Sequence, residues 1–383
     1  MLLLIKPISY VVSSCSIETG TSTIQMKIQS EKMKQLLLSD NFGAVPHPVM
    51  HNRNLFKTTD KDGNFTFSPE FTAVVEELIK TRTTTKHIFG SSEFAHPRGC
   101  LPLKELLIKK SDRSSNVNWI LDIIITYRRL HDKLPSNWNQ MFKYHRDENG
   151  IPNGSHKKWP DEGGIRIIPF DEYVAKDNFI QKSANERRQR YNKWNTCADS
   201  VTIVNYHENK VLDQRNGTLI EVDLMTNFVC NGMIGANRTC SYIKNNQRKE
   251  AASTKNPSVD LGHEILAIYA HESGLIPQDW KRQATVAKIK QFIQRNEMNN
   301  VPMRCPNATI YEKIYEESLK VEKWAIARIE NQDQPPLFDT LDSVQQQQFD
   351  LGWQHSIDQK TFCTLDVVKV SKKEEWQKFF ASF

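Results

Sequence analysis

A hydroxyl-rich segment near the start of the chain has the residue types of an anion-binding loop. Ser14 to Gln25 follows an apolar stretch, and it contains the consecutive residues Thr19, Gly20, Thr21, Ser22 and Thr23. Where a strand turns into a helix, free backbone N–H groups and the positive end of the helix dipole meet, and this arrangement binds phosphate or sulfate. The nucleotide-hydrolase pattern GxxxxGK[ST] does not occur here, so the loop is of another kind. The same residues would also suit an ordinary helix N-cap.

The run from Thr19 to Gln25, TGTSTIQ, resembles the cofactor loop of sulfotransferases, which commonly reads P-K-T-G-T-T-x-[IL]-Q after the first strand. In that family the loop holds the 5′-phosphosulfate end of 3′-phosphoadenosine-5′-phosphosulfate, the sulfuryl donor and co-substrate. The resemblance implies an α/β fold, with an open parallel sheet between flanking helices and a P-loop-like cofactor site. It also implies that the five residues from Thr19 to Thr23 bind the cofactor.

A second element of the same family follows a strongly apolar segment that ends at Tyr127. Arg128 comes next, and Ser136 lies eight residues after it. The resemblance implies that both bind the 3′-phosphate of the cofactor. The chemistry agrees, because a guanidinium group offers two parallel donors to a phosphate and a serine adds a hydroxyl. Without the resemblance, Arg128 and Arg129 would be read as surface charge at a strand end.

The segment His87 to Phe94, HIFGSSEF, resembles the strand followed by S-S-E-x-[FL] in carbohydrate-type sulfotransferases. A carboxylate at the carboxyl end of a strand faces the ligand crevice of an open α/β sheet. Glu93 is therefore a candidate general base that takes the proton from an acceptor hydroxyl. His96 is the second candidate for that role, and either side chain could instead be an exposed loop residue.

One position departs from the family pattern, because Glu18 stands where the loop carries its lysine. In the family that lysine neutralises charge on the leaving phosphate. A carboxylate there repels a polyanion, and like charges at ~4 Å cost about 4 kcal/mol at an effective dielectric near 20. Three explanations stay open: a non-catalytic relative, a substitute cation such as Lys86, Arg98 or Arg129, or an imperfectly defined N-terminus.

The elements that must position these residues alternate between strands and helices. Strands are predicted at 9–14, 87–89, 119–127 and 201–206, and the segment 119–127 has the β-branched, apolar character of a parallel strand buried on both faces. Helices are predicted at 71–79 and 101–108, and then at 224–233, 261–273, 283–296 and 310–329. This alternation favours an open parallel sheet. A surface loop is predicted at 146–164, and a helix is predicted for Gln345 to Gln348.

We expect one domain with insertions over 1–383. The part that matches the family best is 8–275, and 276–383 is a helical extension without an assigned role.

Composition excludes little: the chain has a net charge of +6 and is 38% hydrophobic, as is usual for globular proteins. Its basic clusters are short and scattered, which argues against a nucleic-acid partner. Its apolar runs fall short of the roughly 20 residues of a membrane span.

Cysteines and glycosylation motifs bear on the compartment. Seven cysteines occur without a CxxC pair, so we predict no zinc or other metal site. Cys230 and Cys240 could form a disulfide in an oxidising compartment, or could be buried free thiols. Five Asn-x-Ser/Thr motifs, at Asn64, Asn153, Asn216, Asn237 and Asn307, favour the Golgi lumen or secretory pathway over the cytoplasm.

Three functions follow from the sequence. The first is transfer of a sulfuryl group from the phosphoadenosine donor to a hydroxyl, on a glycan or another acceptor. The second is a catalytically inactive binding protein on the same fold, which the carboxylate of Glu18 favours. The third is a basic scaffold for nucleic acid or an acidic partner, and it would show steep salt dependence.

Overall fold

The computed structural model of the protein describes residues 8–14, 28, 30–45, 58–59, 65–80, 87–92, 99–110, 119–143, 158–176, 178–205, 207, 210–212, 219–221, 223–250, 261–295, 301–330 and 340–383. These residues group into two compact units. The first unit comprises Met1–Arg129, Asn185–Lys255 and Glu322–Leu341, and the second comprises Leu130–Ala184, Asn256–Val321 and Asp342–Phe383. Each unit draws on three separate segments, and the expectation of one domain with insertions stays a prediction.

The first unit is built on a five-stranded parallel sheet. Its strands in chain order are β1 (Ile8–Ser14), β2 (Phe42–Ala44), β5 (His87–Ser92), β6 (Trp119–Tyr127) and β7 (Ser200–Asn205). Their order across the sheet is β2-β5-β1-β6-β7, and every neighbouring pair is parallel. Two short antiparallel pairs complete the strands of this unit: β3 (Thr58–Thr59) with β4 (Phe65–Thr66), and β8 (Lys210–Leu212) with β9 (Leu219–Glu221).

Helices of the first unit pack on the two faces of this sheet. They are α1 (Glu31–Ser39), α2 (Pro69–Lys80), α3 (Cys100–Lys110), the later part of α6 (Phe179–Asn195), α7 (Leu224–Asn227), a π-helical turn (Phe228–Gly232) and α8 (Asn237–Glu250). One buried cluster joins Leu121 and Ile123 to α2, α3 and Trp194. The other joins Ile124 and Val204 to α1, the π-helical turn and α8. The coarse prediction of an α/β fold with a parallel sheet is confirmed.

Strand β6 shows why the sequence identified this sheet. It was predicted at 119–127 and occupies Trp119–Tyr127. Leu121 and Ile123 face one cluster while Ile124 faces the other, so an apolar residue is needed on both faces. Helix α2, predicted at 71–79, begins at Pro69, and Ser68 Oγ accepts a hydrogen bond from the Phe71 backbone N–H at 3.2 Å.

Two disulfides hold segments of the first unit. Cys230, in the π-helical turn, and Cys240, near the start of α8, form a disulfide. Of the two alternatives left open for this pair, the disulfide is therefore confirmed. Cys100–Cys197 joins the first residue of α3 to the turn before β7. That turn is held further by Lys104, whose Nζ lies 3.1 Å from the Cys197 carbonyl and 2.6 Å from Asp199 Oδ1. Cys15 lies outside the described residues.

In the described residues of the second unit, the regular elements are helices and one short antiparallel pair. Its elements are α4 (Leu130–Lys143), a 3₁₀ turn (Pro160–Glu162), α5 (Phe170–Ala175), the start of α6, α9 (Gly262–Glu272), α10 (Arg282–Arg295), β10 (Met303–Arg304), most of α11 (Ala308–Glu330), α12 (Ser343–Asp358), β11 (Thr364–Leu365), α13 (Val367–Ser371) and α14 (Glu374–Phe380). A third disulfide, Cys305–Cys363, joins residues next to the β10–β11 pair. The predicted helical late segments and the helical position of Gln345 to Gln348 are confirmed.

The predicted surface loop at 146–164 is wrong at its end. Trp159 is buried and its ring stacks on His271, with ring centroids 4.1 Å apart. The guanidinium of buried Arg282 donates to the carbonyls of Lys158 and Ile165 at 3.0 Å each. The polar, Gly-rich composition of this segment did not indicate burial. The partner that satisfies its backbone carbonyls is an arginine more than 100 residues away, which a local pattern does not show.

Candidate functional site

The carboxyl edge of the sheet holds the topological switch point of the first unit. From β1 the chain moves to β2 on one side, whereas from β6 it moves to β7 on the other side. Ligands of open α/β sheets bind in the crevice outside the carboxyl ends of the strands where the direction reverses. The crevice expected here therefore lies beyond Ser14 of β1 and Tyr127 of β6.

The register brings the ends of β1 and β5 together at this edge. Ser14, the last residue of β1, pairs with Ser92, the last residue of β5. Glu93 follows Ser92 directly in the sequence, and Thr19, the first of the five predicted cofactor-binding residues, comes five residues after Ser14. The predicted site residues Thr19, Gly20, Thr21, Ser22, Thr23, Glu93 and His96 themselves lie outside the described residues, as do Glu18, Lys86 and Arg98.

Arg128 lies where it was predicted, directly after β6. Its side chain is half-buried, and its backbone carbonyl accepts a hydrogen bond from the guanidinium of Arg187 on α6. The same guanidinium lies over the ring of Tyr127, with its central carbon 5.7 Å from the ring centroid. Arg187 therefore fixes the backbone at Arg128 and adds a positive charge to the strand end.

Glu322, in the last part of α11, which belongs to the first unit, is the buried partner of the two residues that flank Arg128. The Tyr127 hydroxyl donates a hydrogen bond to Glu322 Oε2, and Arg129 Nε lies 3.2 Å from Glu322 Oε1. Only 3% of the Glu322 side chain is exposed, so this carboxylate needs both partners. Sequence reasoning missed Glu322 because it lies 195 residues from Tyr127 in a helix with several other glutamates.

Polar side chains continue this edge towards β7. The Arg129 backbone N–H donates to His207 Nε2 at 3.1 Å, and the His207 N–H donates to Asn205 Oδ1 at 3.0 Å. Asn227, at the end of α7, donates from its side chain to the Asn205 carbonyl at 2.8 Å. The ends of β6 and β7 and the π-helical region are thus joined by hydrogen bonds.

Ser136 lies within the helix that follows β6. Helix α4 begins at Leu130, and Ser136 is its seventh residue. The free backbone N–H groups of a helix lie in its first turn, so Ser136 can contribute its hydroxyl but no such N–H group. Ser136 belongs to the second unit and Arg128 to the first.

Arginine is concentrated at this strand end. Arg128 and Arg129 follow β6, the guanidinium of Arg187 lies over the ring of Tyr127, and Arg129 pairs with Glu322. Arginine side chains suit a phosphate or sulfate ligand. Among the described residues, acidic residues, histidines and cysteines nowhere group in a way that could hold a metal ion. Within the same described ranges, every helix is too short or too polar to cross a bilayer.

The phenol of Tyr127 gives this group a pH dependence. Burial, with the Glu322 carboxylate beside it, raises the pKa of Tyr127 well above its usual value. The neutral phenol is therefore favoured in the folded protein. Its contribution to the free energy of unfolding is complete below about pH 10 and falls as the pH rises further. We expect a shallower alkaline loss of the free energy of unfolding in Tyr127→Phe than in the wild type. Urea denaturation at several alkaline pH values measures the free energy of unfolding of both proteins. The same fall with pH in the wild type and in Tyr127→Phe would contradict a raised pKa of Tyr127.

Comparison with known proteins adds little to this geometry. No protein-family model matches the chain, and no curated protein matches it. One solved structure, from a study of the PezAT chromosomal toxin–antitoxin system of Streptococcus pneumoniae, aligns with 65% of this chain and 89% of its own. The sequence identity is 9% and the TM-score is 0.25. A superposition this loose carries no argument about fold or function.

Proposed function

We propose that this protein transfers a sulfuryl group from 3′-phosphoadenosine-5′-phosphosulfate to a hydroxyl group of an acceptor, and that the acceptor is a glycan. The observation that carries the proposal is the switch point between β1 and β6. It supports one crevice for the loop after Ser14 and for Arg128, the two elements on which the resemblance to sulfotransferases rests. The P-loop-like sulfotransferase fold is part of this proposal.

The proposed roles follow the charges that each step creates. The backbone N–H groups and hydroxyls of Thr19 to Thr23 hold the 5′-phosphosulfate, and Arg128 holds the 3′-phosphate. Glu93, or His96 in its place, takes the proton as the acceptor oxygen attacks sulfur. The S–O bond to the 5′-phosphate breaks, and adenosine 3′,5′-bisphosphate leaves. Positioning and charge neutralisation suffice for such a transfer, as in phosphoryl transfer.

Glu18 supports a second candidate, an inactive protein that binds the nucleotide or a glycan. Of the three cations that could replace the family's lysine, Arg129 is already in an ion pair with buried Glu322. Its charge is therefore partly neutralised before any ligand binds. Lys86 and Arg98 lie outside the described residues. Transfer of ³⁵S from labelled donor to a panel of glycans separates the two candidates, because only the enzyme gives a labelled product.

We expect Glu18→Lys to bind adenosine 3′,5′-bisphosphate more tightly than the wild type, by about tenfold or more, since a charge-assisted contact contributes about 1.5–3 kcal/mol. The reason is that the substitution removes a repulsive carboxylate and restores the cation of the family loop. Calorimetric titration measures the change. Glu31→Lys, an equal change of charge on an exposed residue of α1, is the matched control. Equal effects of both substitutions would refute a specific role of position 18.

The three disulfides support a place for this activity in the secretory pathway. Six of the seven cysteines pair as Cys100–Cys197, Cys230–Cys240 and Cys305–Cys363. Disulfides form and persist in oxidising compartments and are rare in the cytoplasm. We therefore favour the Golgi lumen, where glycan acceptors are exposed, over the cytoplasmic alternative.

A further inference from the structure

Two glycosylation motifs have exposed asparagines and lie at the starts of helices. Asn237-Arg238-Thr239 opens α8, and Asn307-Ala308-Thr309 opens α11. Both asparagines are exposed. We propose that Asn237 and Asn307 carry N-linked glycans and that this protein is itself a glycoprotein. The inference goes beyond the proposed sulfuryl transfer and does not depend on it.

The contacts of Asn307 are compatible with a glycan. Its Oδ1 accepts a hydrogen bond from the Ile310 backbone N–H at 3.0 Å, which caps α11. A glycan is attached to the other side-chain atom, Nδ2, so the acceptor oxygen stays in place. Thr309, the third residue of the motif, is exposed. The cap and the modification therefore use different atoms of one side chain.

At Asn237 the helix is capped by another residue. The carboxylate of Asp40 accepts from the Arg238 N–H at 3.0 Å and from the Thr239 N–H at 2.8 Å. The Thr239 hydroxyl also donates to Asp40, at 2.7 Å. The start of α8 is thus stabilised without a contribution from Asn237, whose side chain is exposed for a glycan. Thr239 is buried in the folded protein, so its recognition has to precede folding.

The chemistry requires a lipid-linked oligosaccharide as the co-reactant. The amide nitrogen Nδ2 attacks the anomeric carbon of the first sugar and forms the N–C bond. The C–O bond to the lipid pyrophosphate breaks, the lipid pyrophosphate leaves, and the amide loses one proton. This donor serves chains in an oxidising lumen, and the three disulfides are those expected of a chain that folds there.

The test is made on the full chain, directed into the secretory pathway of cultured eukaryotic cells by a cleavable signal peptide. Enzymatic removal of N-glycans converts a glycosylated asparagine to aspartate, and peptide mass spectrometry locates the conversion. We expect aspartate at positions 237 and 307. Unconverted asparagine at either position overturns the proposal for that position.

Two variants remove the motifs while they leave the helix caps intact. Asn237→Gln leaves the Asp40 contacts of α8, and Thr309→Ala leaves the Asn307 cap of α11. Each should abolish the modification at its own position while the protein is still secreted. Thr309→Ser keeps an Asn-x-Ser motif and should restore the modification at Asn307. Failure of Thr309→Ser to differ from Thr309→Ala would refute recognition of this motif.

Discussion

Replacing Glu322 by alanine is expected to lower the free energy of unfolding by about 3–5 kcal/mol. The carboxylate accepts from the Tyr127 hydroxyl and pairs with Arg129 Nε at 3.2 Å, and all three side chains are largely buried. Its removal leaves a buried guanidinium and a buried phenol without this acceptor. The cost of an uncompensated buried charge exceeds the few tenths of a kcal/mol of a typical surface contact.

The matched control lies on the same helix. Glu317 pairs with Lys320 at 2.8 Å, but the Lys320 side chain is 56% exposed. Glu317→Ala should therefore cost at most about 1 kcal/mol. Urea denaturation of both variants gives the comparison. Similar losses for Glu322→Ala and Glu317→Ala would show that the strand end at Arg128 is not held by a buried ion pair.

Removal of the Cys100–Cys197 disulfide is expected to have a comparable effect. The two residues are 97 positions apart, and closing a loop of about 100 residues in the unfolded chain contributes about 4.7 kcal/mol in the chain-entropy estimate. Both cysteines belong to the buried cluster under β6 and β7. A double substitution, Cys100→Ala with Cys197→Ala, should lower the free energy of unfolding accordingly.

The Cys230–Cys240 pair provides the control for loop length. Its residues are 10 positions apart, and the same estimate gives less than about 3 kcal/mol for a loop this short. Denaturation of the double variants Cys100→Ala/Cys197→Ala and Cys230→Ala/Cys240→Ala measures the difference. A larger loss for the short loop would contradict the expectation that the Cys100–Cys197 disulfide contributes more because it closes the longer loop.

Local signals in the sequence were sufficient for four of the five strands of the parallel sheet, β1, β5, β6 and β7, and for helices α2 and α3. Strand β6 was predicted at its observed bounds because its residues must be apolar on both faces of the sheet. The periodic apolar residues of 71–79 indicated α2, whose start is capped locally by Ser68. From these strands and helices the parallel sheet followed, and with it the edge at which Arg128 lies.

Contacts between distant segments could not be predicted in this way. Asp40 caps α8 from 198 positions away, and Glu322 reaches Tyr127 across 195 positions. Cysteine spacing does not determine connectivity, so Cys100–Cys197 and Cys305–Cys363 were missed. Trp159 was assigned to a surface loop because its buried neighbours, His271 and Arg282, are remote in sequence. In each case the two partners are distant in the sequence, so no local sequence pattern indicates that they are in contact.

The candidate site combines both kinds of information. Arg128 was singled out by the resemblance to sulfotransferases, in which an arginine follows this strand, whereas Arg187 and Glu322 emerge only from the fold. Arg187 holds the backbone carbonyl of Arg128, and Glu322 contacts the residues on either side of it. These contacts fix the backbone from which the Arg128 side chain extends. A positioned positive charge is what the proposed binding of a bisphosphorylated nucleotide requires.

Titration of adenosine 3′,5′-bisphosphate into the wild type and Arg128→Ala tests the central claim most directly. We expect saturable binding by the wild type and a loss of about 10- to 100-fold in Arg128→Ala, as for removal of a charge-assisted contact of about 1.5–3 kcal/mol. Arg166→Ala, which removes a guanidinium that is 64% exposed, should bind like the wild type. Absence of binding by the wild type, or equal affinities of Arg128→Ala and Arg166→Ala, would contradict a nucleotide site at the carboxyl edge of the sheet.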